Sequence, residues 1–472
     1  MAPELTVAEL GLTFSPKDQV PHMYCISVAC PSTKFASTWE DNFLCVNEHN
    51  PFLRLQWSSA RINNYECLSI VDDSFPERFL CNHDSSLCAS RPCQNHGKCV
   101  PTAGSFTCKC FKGFHGNTCV DAPRSYVFPS PGALRRLRIL TLDGGGTRGV
   151  ISIEILKRLE ADLGGKIKDM FDLIVGTSTG GIIATLVALL NLSLDEASAT
   201  FTDLEQVFQY RPRHLLAKGL AFLKTEGAFS HEVLESQIMK LARRHLGHPW
   251  IRLNDPLLQY GPKVAFVASQ HDNAQAMPYI LRTYASRFAG TDKCTLWEAL
   301  RATSAAPLYF DNIKIDNVVL EDGGVYANNP TQIALHEALE GFGFAKADIA
   351  YIVSIGTGKP PKYMASDQSL GLGIQTLVDK LANALGSSEA THANMQFVFD
   401  KADARYFRFN PDLPNPVNLA QTSPTELEKL RTITRDYLNT NDATTQVANL
   451  RELVNLHKSV CVSQPDTGGC GN

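Results

Sequence analysis

The order of apolar and polar positions divides the 472-residue chain into stretches of different texture. Up to about residue 82, short runs such as Phe52-Leu53-Arg54-Leu55-Gln56-Trp57 alternate like half-buried strands. Asp121 to Pro131 (DAPRSYVFPSP) holds three prolines and reads as an extended linker. From about residue 136, apolar strands alternate with amphipathic helices, the pattern of an α/β domain. Leu137-Arg138-Ile139-Leu140-Thr141-Leu142 predicts a buried strand, and Ile151, Ile155, Leu156 and Leu159 follow at helical spacing. Phe171-Asp172-Leu173-Ile174-Val175 predicts a second strand, with Ile182, Ile183, Leu186 and Leu189 on the helix after it. Val318-Val319-Leu320 predicts another strand, and Asn328-Asn329-Pro330 leads into another helix. From Pro411 to Lys458 a proline-containing stretch gives way to amphipathic helices. The expected fold is a mostly parallel sheet flanked by helices.

One apolar stretch admits a different reading. Leu173 to Leu192 carries no charge over about the length of a bilayer core. Its middle, Gly176-Thr177-Ser178-Thr179-Gly180-Gly181, instead predicts a strand, a sharp turn and a buried helix.

Composition narrows the class. With 44% hydrophobic, 9% aromatic and 19% charged residues, the chain is neither collagen-like, coiled-coil nor wholly disordered. A net charge of -4 gives no global drive toward nucleic acid or anionic lipid, so no nucleic-acid partner is expected. Cysteine is unevenly placed: of 14, only Cys294, Cys461 and Cys470 follow Cys119. That density suggests a disulfide framework and an extracellular or secretory-pathway compartment. Met1 to Val20, however, has neither a basic start nor an apolar run, so no signal peptide is expected there.

Cys88, Cys93, Cys99, Cys108, Cys110 and Cys119 are separated by 4, 5, 8, 1 and 8 residues. So short a segment cannot bury an adequate core, and crosslinks must substitute for it; spacing alone allows 15 pairings. Lacking C-x-x-C pairs, the cluster fits disulfides better than a metal site. Residues 83–120 resemble an EGF-like module, which implies Cys88–Cys99, Cys93–Cys108 and Cys110–Cys119 and a possible protein partner for that module. The expected divisions are 1–82, a cysteine-containing region of unknown role; 83–120, the module; 121–135, a linker; 136–410, the α/β domain; and 411–472, helices and tail.

The candidate chemistry lies at strand ends. The first α/β strand runs into Asp143-Gly144-Gly145-Gly146-Thr147-Arg148-Gly149, in which glycines 144, 146 and 149 satisfy a dinucleotide-loop spacing. The acid that would hold a ribose is missing from the end of the second strand, which argues against a nucleotide. That strand ends instead in Gly176-x-Ser178-x-Gly180, where a serine sits at the tip of a strained strand-to-helix turn. Consecutive glycines expose backbone N–H groups that could stabilise an oxyanion, as acyl transfer requires. No histidine occupies an obvious catalytic motif, but Leu320-Glu321-Asp322-Gly323-Gly324 places an acid at a strand end. Asp before Gly-Gly is also an ordinary turn pattern.

The three motifs in this order resemble the patatin-like phospholipase family, most closely its calcium-independent phospholipase A branch. Trp297 to Pro307 and Ser354-Ile355-Gly356-Thr357-Gly358 extend the likeness, which covers about residues 136–410. The resemblance implies a patatin-like fold and a lipid acyl-ester hydrolase of phospholipase A or lysophospholipase type. In it Ser178 is the nucleophile, Asp322 its base, and Gly144, Gly145 and Gly146 the oxyanion donors. Gly176 and Gly180 flank the nucleophile, and Arg148 holds the loop or meets the substrate. No metal or cofactor is required, and the partner is a phospholipid or other acyl ester at a membrane or micelle. Other readings of the same motifs are a lipid-binding, adhesion or storage protein, or an acyltransferase. Phe208 to Phe229, apolar residues among Arg211, Arg213, Lys218 and Lys224, reads as an amphipathic lid or as a core helix with a basic edge.

Overall fold

The computed structural model describes residues 126–205, 229–247, 249–271, 276–307, 309–359, 388–400, 403–415 and 417–462, and, before these, eight strands and several positions between 93 and 121. The chain forms two compact units, one of residues 1–110 and 115–121, the other of 111–114 and 122–472. Residues 208–228, where the lid is expected, lie outside the described residues.

The first unit is antiparallel throughout. Phe14–Pro16, Met23–Ser27 and Phe43–Asn47 form one three-stranded sheet; Leu53–Ile62, Tyr65–Asp72 and Phe75–Leu80 form another. Gly97–Thr102 and Ser105–Cys110 make a hairpin beside the disulfides Cys93–Cys108 and Cys110–Cys119. Of the third expected pair, Cys88–Cys99, the residue Cys88 and the side chain of Cys99 lie outside what the structure describes.

The second unit is built on one sheet. Strands β1 (Leu137–Leu142), β2 (Leu173–Thr177), β3 (Lys263–Gln270), β4 (Met277–Arg282), β5 (Ile313–Ile315), β6 (Val318–Asp322), β7 (Ile349–Ile355) and β8 (Tyr406–Phe409) take the order β4-β3-β2-β1-β7-β8. The five from β3 to β8 are parallel, β4 is antiparallel, and β6 pairs antiparallel with β3 and β5. The parallel strands are apolar runs because both faces are covered. Leu140, Leu142, Ile174 and Phe266 face one core cluster, while Leu137, Ile139, Leu173, Val175 and Val267 face the other.

Helices α1 (Gly149–Leu163), α2 (Thr179–Ala184), α3 (Leu194–Glu205), α4 (His231–Leu246) and α5 (Leu296–Thr303) pack on the first face, together with α7 (Pro424–Leu438) and α8 (Asn441–Val462). Helix α6 (Thr331–His336) packs on the second. Helix ends follow local chemistry. Gly164, at φ 65, closes α1 with its N–H on the Glu160 carbonyl at 3.1 Å. Thr295 opens α5 through a reciprocal capping box with Glu298. Among the described residues no helix is long and apolar enough to cross a membrane.

The two ends of the sheet differ. At the amino end, the Arg138 backbone N–H and Nε both donate to Asp172 Oδ2 at 2.9 Å, and a terminal guanidinium nitrogen meets Oδ1 at 2.8 Å. Burial alone would raise the Asp172 carboxyl; Arg138 and Arg135 hold it below its ordinary range. This end is tied shut by ion pairs. The carboxyl end, where β1, β2 and β7 release their loops, is open.

Candidate active site

Ser178 follows the last residue of β2 and precedes the first of α2, with φ 53 and ψ -122. A non-glycine residue in this region is strained, and its surroundings must hold it there. The flanking glycines make the turn possible. A Cβ on Gly176 would lie 2.5 Å from the Gly180 backbone, and one on Gly180 2.2 Å from the Leu142 carbonyl oxygen. The Ser178 N–H donates to Thr303 Oγ1 at 2.9 Å, and that hydroxyl donates onward to the Val267 carbonyl. Thr303 carries no motif of its own; its only sequence signal is its place within the Trp297–Pro307 run.

Asp322 reaches the same point from the opposite direction. Asp316 and Asn317, at φ 48 and 66, turn β5 into β6 with the two left-handed residues of a tight hairpin. Strand β6 then runs antiparallel along β3, pairing Asp322 with Ala268, while β2 runs parallel along the same edge and pairs Thr177 with Val267. The strands β2 and β6 therefore end head to head, one register step apart on β3. Ser178 Oγ donates to Asp322 Oδ2 at 2.7 Å, and the Gly324 N–H donates to Oδ1 at 2.6 Å. Asp322 is 5% exposed. Burial pushes its carboxyl up to about 7 despite those two hydrogen bonds, and the neighbouring Glu321 charge adds to the rise. Glu321 itself meets His271 Nδ1 at 3.1 Å.

The glycine loop after β1 packs alongside. Arg408 forms a two-pronged buried pair with Asp143 at 2.9 and 2.7 Å, which keeps its guanidinium charged and anchors the start of the loop. The Gly144 N–H donates to the Asn328 carbonyl at 3.1 Å. Gly144 is one of the three glycines expected to carry oxyanion donors, and its N–H is taken up by that bond. Among the described residues no acceptor meets the N–H of Gly145 or Gly146. Gly146 sits at φ 58, and a Cβ there would lie 2.1 Å from the Leu419 carbonyl oxygen, which accepts the Thr147 N–H at 2.9 Å. Arg148 is buried, with Nε 3.3 Å from the Gly145 carbonyl oxygen, and burial brings its guanidinium down to about 10. Of its two expected roles, that contact favours holding the loop.

Gly145, Gly146, Ser178 and Asp322 border one cavity of about 870 Å³, counted out to its open mouth. The rest of its wall is largely apolar: Ile182, Phe201, Leu204, Leu234, Pro307, Phe310 and Leu419. No histidine is among its described lining residues. Apolar walls with a few polar groups gathered at one place suit an apolar chain that carries a polar group.

The protein is thus of the α/β class, with a strand-to-helix serine, a facing buried carboxyl and a glycine-rich loop at the carboxyl end of one sheet. Residues 140–335 match the family model described as patatin-like phospholipase, and residues 88–118 match the EGF-like domain. The chain thus carries a patatin-like phospholipase domain and an EGF-like domain. It is 31% identical over 330 residues to calcium-independent phospholipase A2-gamma of Rattus norvegicus, covering 67% of this chain and 40% of that one. The Oryctolagus cuniculus protein of the same description is 30% identical, covering 67% and 39%. Phospholipase A I of Arabidopsis thaliana is 27% identical, covering 65% and 27%. The chain spans about two fifths of the length of these two A2-gamma relatives. VipD from Legionella pneumophila overlaps at a TM-score of 0.35 and 11% identity, over 69% of this chain and 68% of that one, too slight a likeness to bear weight.

Proposed function

We propose that this protein hydrolyses lipid acyl esters of the phospholipase A or lysophospholipase type, using Ser178 and Asp322 as a catalytic pair. The 2.7 Å hydrogen bond between Ser178 Oγ and a desolvated Asp322 carboxylate, at the end of an apolar cavity, carries the reading. Ser178 Oγ attacks the ester carbonyl carbon while its proton passes to Asp322. The carbonyl oxygen becomes an oxyanion, and the Gly145 and Gly146 N–H groups meet the developing charge. The intermediate collapses, the C–O bond to the alcohol breaks, and Asp322 returns the proton to the leaving oxygen. Water then attacks the acyl-serine as Asp322 takes its proton; the bond from the acyl carbon to Ser178 Oγ breaks, and Asp322 returns the proton to Oγ as the fatty acid leaves. The apolar wall holds the acyl chain.

The test is hydrolysis of a short p-nitrophenyl ester, with mass spectrometry of products from phospholipid and lysophospholipid vesicles. Ser178→Ala and Asp322→Asn, shown to fold by thermal melts, are each expected to lose at least about 10³-fold in kcat/KM. Wild-type protein turning over no faster than Ser178→Ala overturns the reading.

A further inference from the structure

Thr357 lies two residues beyond the end of β7, on the side of β1 away from β2. Its hydroxyl donates to the Gly144 carbonyl oxygen at 2.7 Å, and Asn328 Nδ2 donates to the same oxygen at 3.3 Å. A trans peptide points its C=O and N–H in opposite directions. Fixing the Gly144 oxygen therefore fixes the direction of the Gly145 N–H, turned away from Thr357 and Asn328. Gly145 borders the cavity, and no acceptor among the described residues meets that N–H.

The loop has no side chain of its own at this peptide, and of the two donors to its oxygen the Thr357 hydroxyl is the nearer. Between two glycines no Cβ opposes a peptide flip, so either orientation is accessible. A flipped peptide would aim a carbonyl oxygen where negative charge develops. The contact is also close: a Cβ on Gly145 would lie 2.2 Å from Thr357 Oγ1, so glycine admits the hydroxyl and the hydroxyl restrains the glycine. The next peptide is held likewise, for the Gly145 carbonyl oxygen accepts the Arg148 backbone N–H at 3.2 Å and its Nε at 3.3 Å.

We propose that Thr357 is a positioning residue that locks the Gly144–Gly145 peptide so that the Gly145 N–H faces the reacting carbonyl. The inference rests on the ester-hydrolase reading. Thr357→Val removes the hydroxyl and keeps the volume; Thr357→Ser keeps the hydroxyl and removes a methyl. With the full chain and a p-nitrophenyl ester, Thr357→Val is expected to lower kcat about 10- to 100-fold, the scale of a displaced oxyanion donor, with KM within about threefold. Thr357→Ser is expected to stay within about threefold of wild type in kcat. Should thermal melts show that Thr357→Val does not fold, Thr357→Ala takes its place with the same outcomes. A folded hydroxyl-less variant within twofold of wild-type kcat overturns the inference alone. So does a loss confined to KM, or a Thr357→Ser as impaired as Thr357→Val. Wild-type protein no faster than Ser178→Ala overturns the hydrolase reading and this inference with it.

Discussion

Asp322 retains a proton at a pH where an exposed aspartate would have lost it, because burial penalises its charged form. A base accepts the serine proton only when ionised. Turnover should therefore rise as pH increases through about 7 and level off above it, following the raised carboxyl. Glu321 places a second negative charge beside it, which makes ionisation harder. Glu321→Gln should accordingly move the midpoint of the kcat/KM profile downward, by about half a pH unit, and leave the plateau within about twofold. A profile already flat above pH 5 would mean that Asp322 is not the titrating base. Ser178 and Asp322 stood out in the sequence as candidates, each at a strand end among glycines, and the pairing of the two was implied by the family resemblance. Thr303 and Thr357 did not, since nothing local separates a threonine that orients a backbone from one that fills a turn. Only the folded sheet brings Thr357 to Gly144, 213 residues away.

At the level of elements, the strand-turn-helix around Ser178 depends on bare backbone. Gly180→Ala would force a Cβ to 2.2 Å from the Leu142 carbonyl oxygen, and neither backbone can yield. The expected result is a destabilisation of about 3 kcal/mol or more, read as a large fall in melting temperature or a failure to accumulate. Gly165→Ala is the contrast: its nearest neighbour would be Met170 Cγ at 3.5 Å, an ordinary contact, and its melting temperature should stay within a few degrees of wild type. Equal behaviour of the two would refute the packing account. Strands β1 and β2 and the helices after them were legible because buried parallel strands are unbroken apolar runs and amphipathic helices repeat their pattern. The antiparallel seat of β6 on β3 was not legible, since it pairs segments some 50 residues apart without a local mark.

At the level of the whole molecule, the α/β unit needs its carboxyl-terminal helices. Leu427, Leu430 and Leu438 of α7, with Val447, Leu450 and Val454 of α8, lie in the same core cluster as Leu156 and Leu159 of α1. Arg435 Nε meets Glu154 at 3.0 Å, and Arg158 meets Asn439 at 3.1 Å. The amphipathic pattern after Pro411 announced helices but not the surface they cover. A chain shortened to end at Pro414 would bare that surface and lose Leu419, which both walls the cavity and accepts the Thr147 N–H. It should be poorly soluble or melt at least about 10 °C lower, and any folded fraction should be inactive. Wild-type melting and turnover in that chain would refute the dependence. Strand β3 meanwhile lends no group to the proposed catalytic pair, yet its ladder sets the spacing of the two. Serine and carboxyl are gauged against Val267 and Ala268, neighbours about 3.3 Å apart along a fully extended backbone. A slip of β6 by one notch would turn the acid to the other face of the sheet. A buried strand that lends no side chain to the serine–carboxyl contact thus gauges the distance across it.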